Sequence, residues 1–130
     1  DDAIAGYGLG LDLTLRAVQS KLKEKGHPWE IAKSFDGSCP LSSFVHSDDL
    51  KDVSNIEFQL KINGELRQHG KTSDMITAIK PLIAYISRHF TLMPGDVVLT
   101  GTPAGVGLFE SGMKLEASLG SVLNVEAEIL

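Results

Sequence analysis

Apolar and polar residues alternate without a break from Ile56 to Ile62, the period-two pattern of a strand with one face turned to a core. Asn63-Gly64 follows, a strong two-residue hairpin signal, and the chain returns through Glu65 to His69. Two further segments, Leu115 to Leu119 and Val122 to Ile129, flank Gly120-Ser121 and predict a second hairpin at the end of the chain. Helical spacing occurs twice. Leu15, Val18 and Leu22 form one stripe within residues 15–25, closed by Gly26 and Pro28. Met75, Ile76, Ile79, Leu82, Ile83 and Ile86 form another, with Ser73 or Asp74 as its cap and Pro81 predicting a kink. Residues 4–14 read as a strand whose glycines at 6, 8 and 10 mark close backbone approach or a bulge. Residues 27–40 carry little periodicity. Pro94-Gly95 predicts a turn, residues 96–100 a short strand, and residues 101–107 a glycine-rich loop. The fold class is α+β, predominantly β, in one domain over residues 1–130.

Composition narrows the function more than the fold. Apolar content of 42% and charged content of 22% are those of an ordinary globular domain, which excludes disorder for the whole. No apolar run approaches the roughly 20 residues of a membrane helix. A net charge of -5 without a basic block argues against nucleic acid, yet a few local cations would still admit a small anion. Cys39 is the single cysteine, so no intrachain disulfide forms. That suits a reducing compartment, cytoplasm or mitochondrial matrix. Asp1-Asp2-Ala3-Ile4-Ala5-Gly6 is acidic and begins almost inside a strand pattern. It is no signal peptide, and so abrupt a start leads us to expect residues missing in front.

Few residues offer chemistry. Asp12 closes the glycine-rich strand, where a carboxylate serves either as a ligand for a hard cation such as magnesium or as an ordinary cap. Arg16 and Gln19 stand three apart on the predicted helix. Together they could clamp a carboxylate, or simply face solvent. Lys33, in the irregular segment, could hold an enolate or a substrate oxygen, although most lone lysines are merely exposed. In Gly101-Thr102-Pro103-Ala104-Gly105-Val106-Gly107 the glycines would let backbone donors and the Thr102 hydroxyl meet a small ligand. A plain tight connection is the competing reading. No Gly-Lys-Ser/Thr follows, and neither a third glycine in register nor a helix completes a dinucleotide fingerprint. His27, His46, His69 and His89 lack zinc-ligand spacing, and no Gly-x-Ser-x-Gly elbow occurs.

Three ordered segments resemble the fumarylacetoacetate hydrolase family. Gly6-Tyr7-Gly8-Leu9-Gly10-Leu11-Asp12-Leu13-Thr14-Leu15-Arg16-Ala17-Val18-Gln19 resembles its Gly-Tyr-…-Asp-x-Thr-x-Arg-x-x-Gln segment. Trp29 through Pro40, with Ala32-Lys33-Ser34-Phe35-Asp36 and Ser38-Cys39-Pro40, is similar to its substrate-pocket loop. Pro94-Gly95-Asp96 leading into Thr100-Gly101-Thr102-Pro103 and Gly105-Val106-Gly107 resembles its signature near the C-terminus.

The resemblance implies a mixed β-roll with few helices, usually a homodimer, using Mg2+, Mn2+ or Ca2+. It makes Asp12 the third metal carboxylate. Arg16, Gln19, Lys33, Gly101 and Thr102 become the groups that hold the carboxylate and the oxo or enol oxygens of a small 2-oxo acid, with Lys33 and Thr102 catalytic. The implied chemistry is hydrolysis of an acylpyruvate or decarboxylation of oxaloacetate. Isomerisation and decarboxylation of an unsaturated 2-hydroxy dioate, or a non-catalytic binding and assembly role, are the alternatives. The family's Glu-x-Glu metal pair, and the His and Glu of its lid, precede the segment where this sequence begins. Glu126 and Glu128 do not replace the pair, since alternation puts them on one face of an ordinary strand. From Asp12 alone we expect weak metal binding and little turnover by these 130 residues.

Overall fold

The computed structural model describes residues 3–50 and 52–130. The expectations for Asp1 and Asp2 lie outside those residues.

Four strands form the main sheet: β3 (Glu57–Ile62), β4 (Glu65–Lys71), β5 (Lys114–Leu119) and β6 (Leu123–Glu128), in the order β4-β3-β5-β6 with every pairing antiparallel. Both predicted hairpins are there. Asn63 and Gly64 take φ of 51° and 81°, the double left-handed turn whose twist matches a two-residue hairpin. Register sorts the residues of the sheet by face. Phe58, Leu60 and Ile62 stand opposite Leu119, Ala117 and Leu115, which stand opposite Leu123, Val125 and Ala127. These nine make one apolar face. The other carries Glu57, Gln59, Lys61, Lys114, Glu116 and Ser118, with Glu126 and Glu128 exposed on β6.

On β4 the register slips by one residue. Leu60 pairs with Gln68 and Lys61 with Leu66, which leaves Arg67 bulged out of the ladder. The slip puts Gln68 on the apolar face and Gly70 opposite Phe58.

The helices are short: α1 (Arg16–Glu24), α2 (Glu30–Lys33) and α3 (Ile79–Ile86). Helix α1 stops at Gly26, whose φ of +63° only glycine adopts freely. The helix expected from Met75 starts at Ile79 instead, after a 3-10 turn over Thr72–Asp74. Pro81 is therefore its third residue, where a missing N–H breaks no intrahelical bond, and the expected kink is replaced by a late start.

Two predicted strands are shorter than expected. Of residues 4–14 only Gly6–Tyr7 (β1) ladders, against Val45–His46 (β2). Beyond it Gly10 makes an isolated antiparallel bridge with Leu41, flanked by Ser42 N–H to Leu9 O (2.9 Å) and Leu11 N–H to Pro40 O (3.0 Å), and Leu13 N–H donates to Ser38 O (2.9 Å). Pro40 has no N–H to return one. Residues 96–100 belong to no described strand.

Only Ala32, Leu60, Leu115 and Leu119 are buried among the described residues. The accessible surface is 9344 Å² for 14.0 kDa, against roughly 6,700 Å² expected of a compact monomer of that mass. Ile76, Tyr85, Phe90 and Met93 are among the large apolar side chains left exposed.

Candidate functional site

Gly6, Gly8 and Gly10 share one face of an extended segment, and each is a glycine for a reason visible in its neighbour. A Cβ at Gly6 would stand 2.6 Å from the Val45 carbonyl oxygen, one at Gly8 3.0 Å from Ser42 Oγ, and one at Gly10 2.9 Å from Leu99 Cδ2. The segment is therefore pressed against β2 and against the approach to the 101–107 loop. Leu99 packs against Gly10 two residues before Gly101, just as Gly10 comes two residues before Asp12.

Backbone bonds then place the charged groups. Leu15 N–H donates to Ala32 O (3.0 Å), docking α2 on the start of α1 around the fully buried Ala32. That docking brings Lys33, the last residue of α2, onto Asp12: its Nζ donates to Oδ2 at 2.8 Å. The pair is open to solvent, the side chains 32% and 56% exposed. Arg16 opens α1 and Gln19 lies one turn on, and among the described residues neither side chain has a hydrogen-bond or ion-pair partner. No side chain caps α1 and no acid lies in its first turn. Its free N–H groups, the helix dipole and Arg16 thus present positive potential beside the Asp12–Lys33 pair.

The 101–107 loop is held by β4. Gln68 Nε2 donates to Thr102 Oγ1 at 2.8 Å and to the Pro103 carbonyl at 3.0 Å. Pro103 lies over Gly70, where an added Cβ would stand 3.1 Å from its ring. Arg67, freed by the bulge, reaches the Val106 carbonyl at 3.4 Å and packs against Gly107, while its own carbonyl lies against Gly105. Gly101 and Gly105 take φ of +104° and +97°. A loop with two residues in that region is favoured by glycine at both. The sequence reading singled out Gly101 and Thr102 but missed Arg67 and Gln68. Their trace in the sequence is the loss of apolar alternation after Leu66, which puts a glutamine where the face should be apolar.

Asp12 suits a divalent cation as one hard oxygen ligand, its Oδ1 left free by Lys33. Among the described residues no three His, Cys, Asp or Glu side chains come together, so within them Asp12 stands without a shell of such ligands. Glu126 and Glu128 stand on the polar sheet face, opposite Glu116 and Lys114. No helix among the described residues is long and apolar enough to cross a membrane.

Comparison with known proteins shows the family and the fold. Residues 1–130 match the family model for the C-terminal part of fumarylacetoacetate (FAA) hydrolase. The oxaloacetate tautomerase YcgM of Escherichia coli (strain K12) is 60% identical over 114 residues, 87% of this chain and 52% of that protein. The mitochondrial oxaloacetate tautomerase FAHD1 of Bos taurus is 47% identical over 128 residues, 98% of this chain and 58% of that protein. The crystal structure of fumarylpyruvate hydrolase from Pseudomonas aeruginosa in complex with Mn2+ and pyruvate superposes with a TM-score of 0.93 at 33% identity, covering 99% of this chain and 55% of that one. The chain thus spans little more than half the length of the relatives it matches.

Proposed function

The chain belongs to the fumarylacetoacetate hydrolase family, and from that membership we propose that it forms the C-terminal portion of one catalytic domain that processes a small 2-oxo acid, with oxaloacetate as substrate. The observation that carries this reading is the solvent-open Asp12–Lys33 pair at 2.8 Å beside the uncapped start of α1, with no partner for Arg16 among the described residues. An anion with a second oxygen next to its carboxylate fits that grouping. The reaction we favour is keto–enol interconversion, after the names of the Escherichia coli and Bos taurus relatives. One proton leaves C3, one joins the C2 oxygen, and the formula is unchanged. Decarboxylation or acylpyruvate hydrolysis would use the same cradle, since each also leaves negative charge on that oxygen.

Each residue has a role in this reading. Arg16 takes the C1 carboxylate, forked against its two oxygens, and Gln19 adds a hydrogen bond from the same side of α1. Lys33 stabilises charge developing on the C2 oxygen and can hold the proton there. Thr102, with Gly101 leaving the backbone open beside it, contributes a hydroxyl to the second ligand oxygen. Asp12 is the residue that would hold a divalent cation, Mg2+ in our reading with Mn2+ or Ca2+ as substitutes. Such an ion supplies Lewis acidity at the oxo oxygen. The Mn2+ and pyruvate bound in the Pseudomonas aeruginosa enzyme support this choice of metal class and ligand. A homodimer is part of the proposal, supported by the apolar side chains left exposed around α3. Cytoplasm or mitochondrial matrix is the proposed location.

The test is the decay of oxaloacetate enol absorbance, with pyruvate release followed in parallel. It is run on the full chain alone and on the chain joined to the part of the Escherichia coli relative outside the match. We expect chelator-sensitive acceleration in the joined protein and little in the chain alone. If the joined protein is folded and metal-loaded but accelerates neither reaction, the reading is wrong.

A further inference from the structure

A glutamine on the apolar face of a sheet needs a reason, since burying an amide without partners costs free energy. Gln68 lies opposite Leu60 on that face and is half-buried. Both donors of its amide are used, one on Thr102 Oγ1 at 2.8 Å and one on the Pro103 carbonyl at 3.0 Å. The second bond fixes the first. A carbonyl only accepts, so the amide nitrogen must face Pro103, and a flipped amide would set oxygen against oxygen. Thr102 Oγ1 must therefore accept from Gln68. A hydroxyl has one proton, and the one on Thr102 has no acceptor among the described residues. It is left to point away from β4.

We propose that Gln68 is a positioning residue that commits the Thr102 hydroxyl to donate, so that the loop offers a hydrogen-bond donor to an acceptor-only oxygen, a carboxylate or an oxo or enolate oxygen. The proposal rests on the reading of Thr102 as a ligand-binding group. Gln68 itself touches no substrate. It acts by occupying the one direction in which Thr102 would otherwise spend its proton. The β-bulge at Arg67 is what makes this geometry available, because in an unslipped ladder Gln68 would face the other side of the sheet.

The experiment uses the chain joined to the part of the Escherichia coli relative outside the match, as the parent and as Q68E, Q68M, T102V and the double variant Q68M/T102V, with pyruvate and Mn2+ as probes. Two readouts are taken. The first is the Thr102 methyl shift and χ1 coupling by NMR without ligand. The second is the pyruvate dissociation constant. In Q68E the carboxylate accepts the Thr102 proton, and we expect pyruvate to bind about tenfold or more weakly, as in T102V, the size of one lost hydrogen bond to a charged group. Q68M should weaken binding several-fold in the parent and not at all in the T102V background.

Equal loss from Q68M in both backgrounds would mean that Gln68 only supports the loop, and would overturn the proposal. Unmoved Thr102 signals in Q68E and Q68M would overturn it whatever pyruvate does. Absence of pyruvate binding by the joined parent would count against the proposed function, and the ligand-free spectra would still decide the Gln68–Thr102 coupling.

Discussion

Removing either member of the Asp12–Lys33 pair should cost activity far more than stability. At 2.8 Å the Coulomb energy of a unit charge pair in bulk water is about 1.5 kcal/mol. Side-chain ordering and salt screening act against that gain. Exposures of 32% and 56% leave both groups well hydrated, so the net contribution belongs with exposed pairs, about 0.2–1 kcal/mol. For a chain of this size that is a shift in Tm of roughly 5 °C at most. The docking of α2 on α1 does not depend on the pair, because the Leu15–Ala32 backbone bond and the buried Ala32 remain. The catalytic cost is different in kind. A donor aimed at developing oxyanion charge is worth on the order of 10²–10³ in rate. D12N and K33M are therefore expected to melt within a few degrees of the parent and to lose at least a hundredfold in oxaloacetate tautomerisation when the chain is joined to the rest of a relative. Thermal unfolding by circular dichroism and the enol-decay rate are read on the same samples. A Tm lowered by more than about 10 °C would make the pair a structural element. A rate within threefold of the parent would remove Lys33 from the mechanism.

Leu60 is 6% exposed at the centre of the apolar face, and Leu60→Ala should destabilise by about 2–4 kcal/mol in urea unfolding with an unchanged m-value; a loss under about 1 kcal/mol would mean the face is not the core. Gly105→Ala puts a Cβ on the Arg67 carbonyl at a φ of +97°, so we expect about 1–3 kcal/mol of strain and faster amide exchange confined to the 101–107 loop. Unchanged exchange there would refute the contact. On the polar face the Lys71 hydrogen bond and charge, helped by His69, hold the Glu57 carboxyl below the usual glutamate range, and Glu57 in turn raises Lys71. A lowered native value means that the unfolded chain takes the proton first as pH falls. The contribution is whole above about pH 4.3 and is lost as pH drops through the lowered value. For Lys71 it is whole below about pH 10.4 and is lost above the raised value. The stability gap between parent and K71M should accordingly narrow from about pH 6 to about pH 3, and a gap constant over that range would sink the assignment.

Local pattern made part of this molecule legible. The alternation of residues 56–62 and the Asn63-Gly64 turn fix a hairpin because side-chain period and turn chemistry agree. Gly26 ends α1 for a reason internal to one residue. What the sequence did not disclose depends on pairing between distant segments. Residues 4–14 carry strand pattern yet ladder only at Gly6–Tyr7, with one isolated bridge at Gly10–Leu41: on the partner segment Pro40 has no N–H to return, and the Ser38 N–H is turned to Phe35 O. Nothing within residues 4–14 signals that. The late start of α3 likewise turns on where Pro81 can be tolerated, and the apolar stripe from Met75 continues past that boundary unchanged. Asp12, Arg16, Gln19, Lys33 and Thr102 are proposed on resemblance; spacing alone leaves each with a bland alternative.

The two parts of the site are held by different means, and that has a consequence. Asp12 and Lys33 are placed by main-chain bonds, Leu13 N–H to Ser38 O and Leu15 N–H to Ala32 O, which do not depend on the side chains at those positions. Thr102 is placed by the side chains of Arg67 and Gln68 and by the gap at Gly70. Substitution on β4 can therefore alter how the loop meets a ligand while the charged pair stays where it is. The contributions proposed for Asp12 and Lys33 would be retained under such changes. The hydrogen bond proposed for Thr102 would not, since it rests on a loop whose orientation is set by two side chains and a one-residue slip in register.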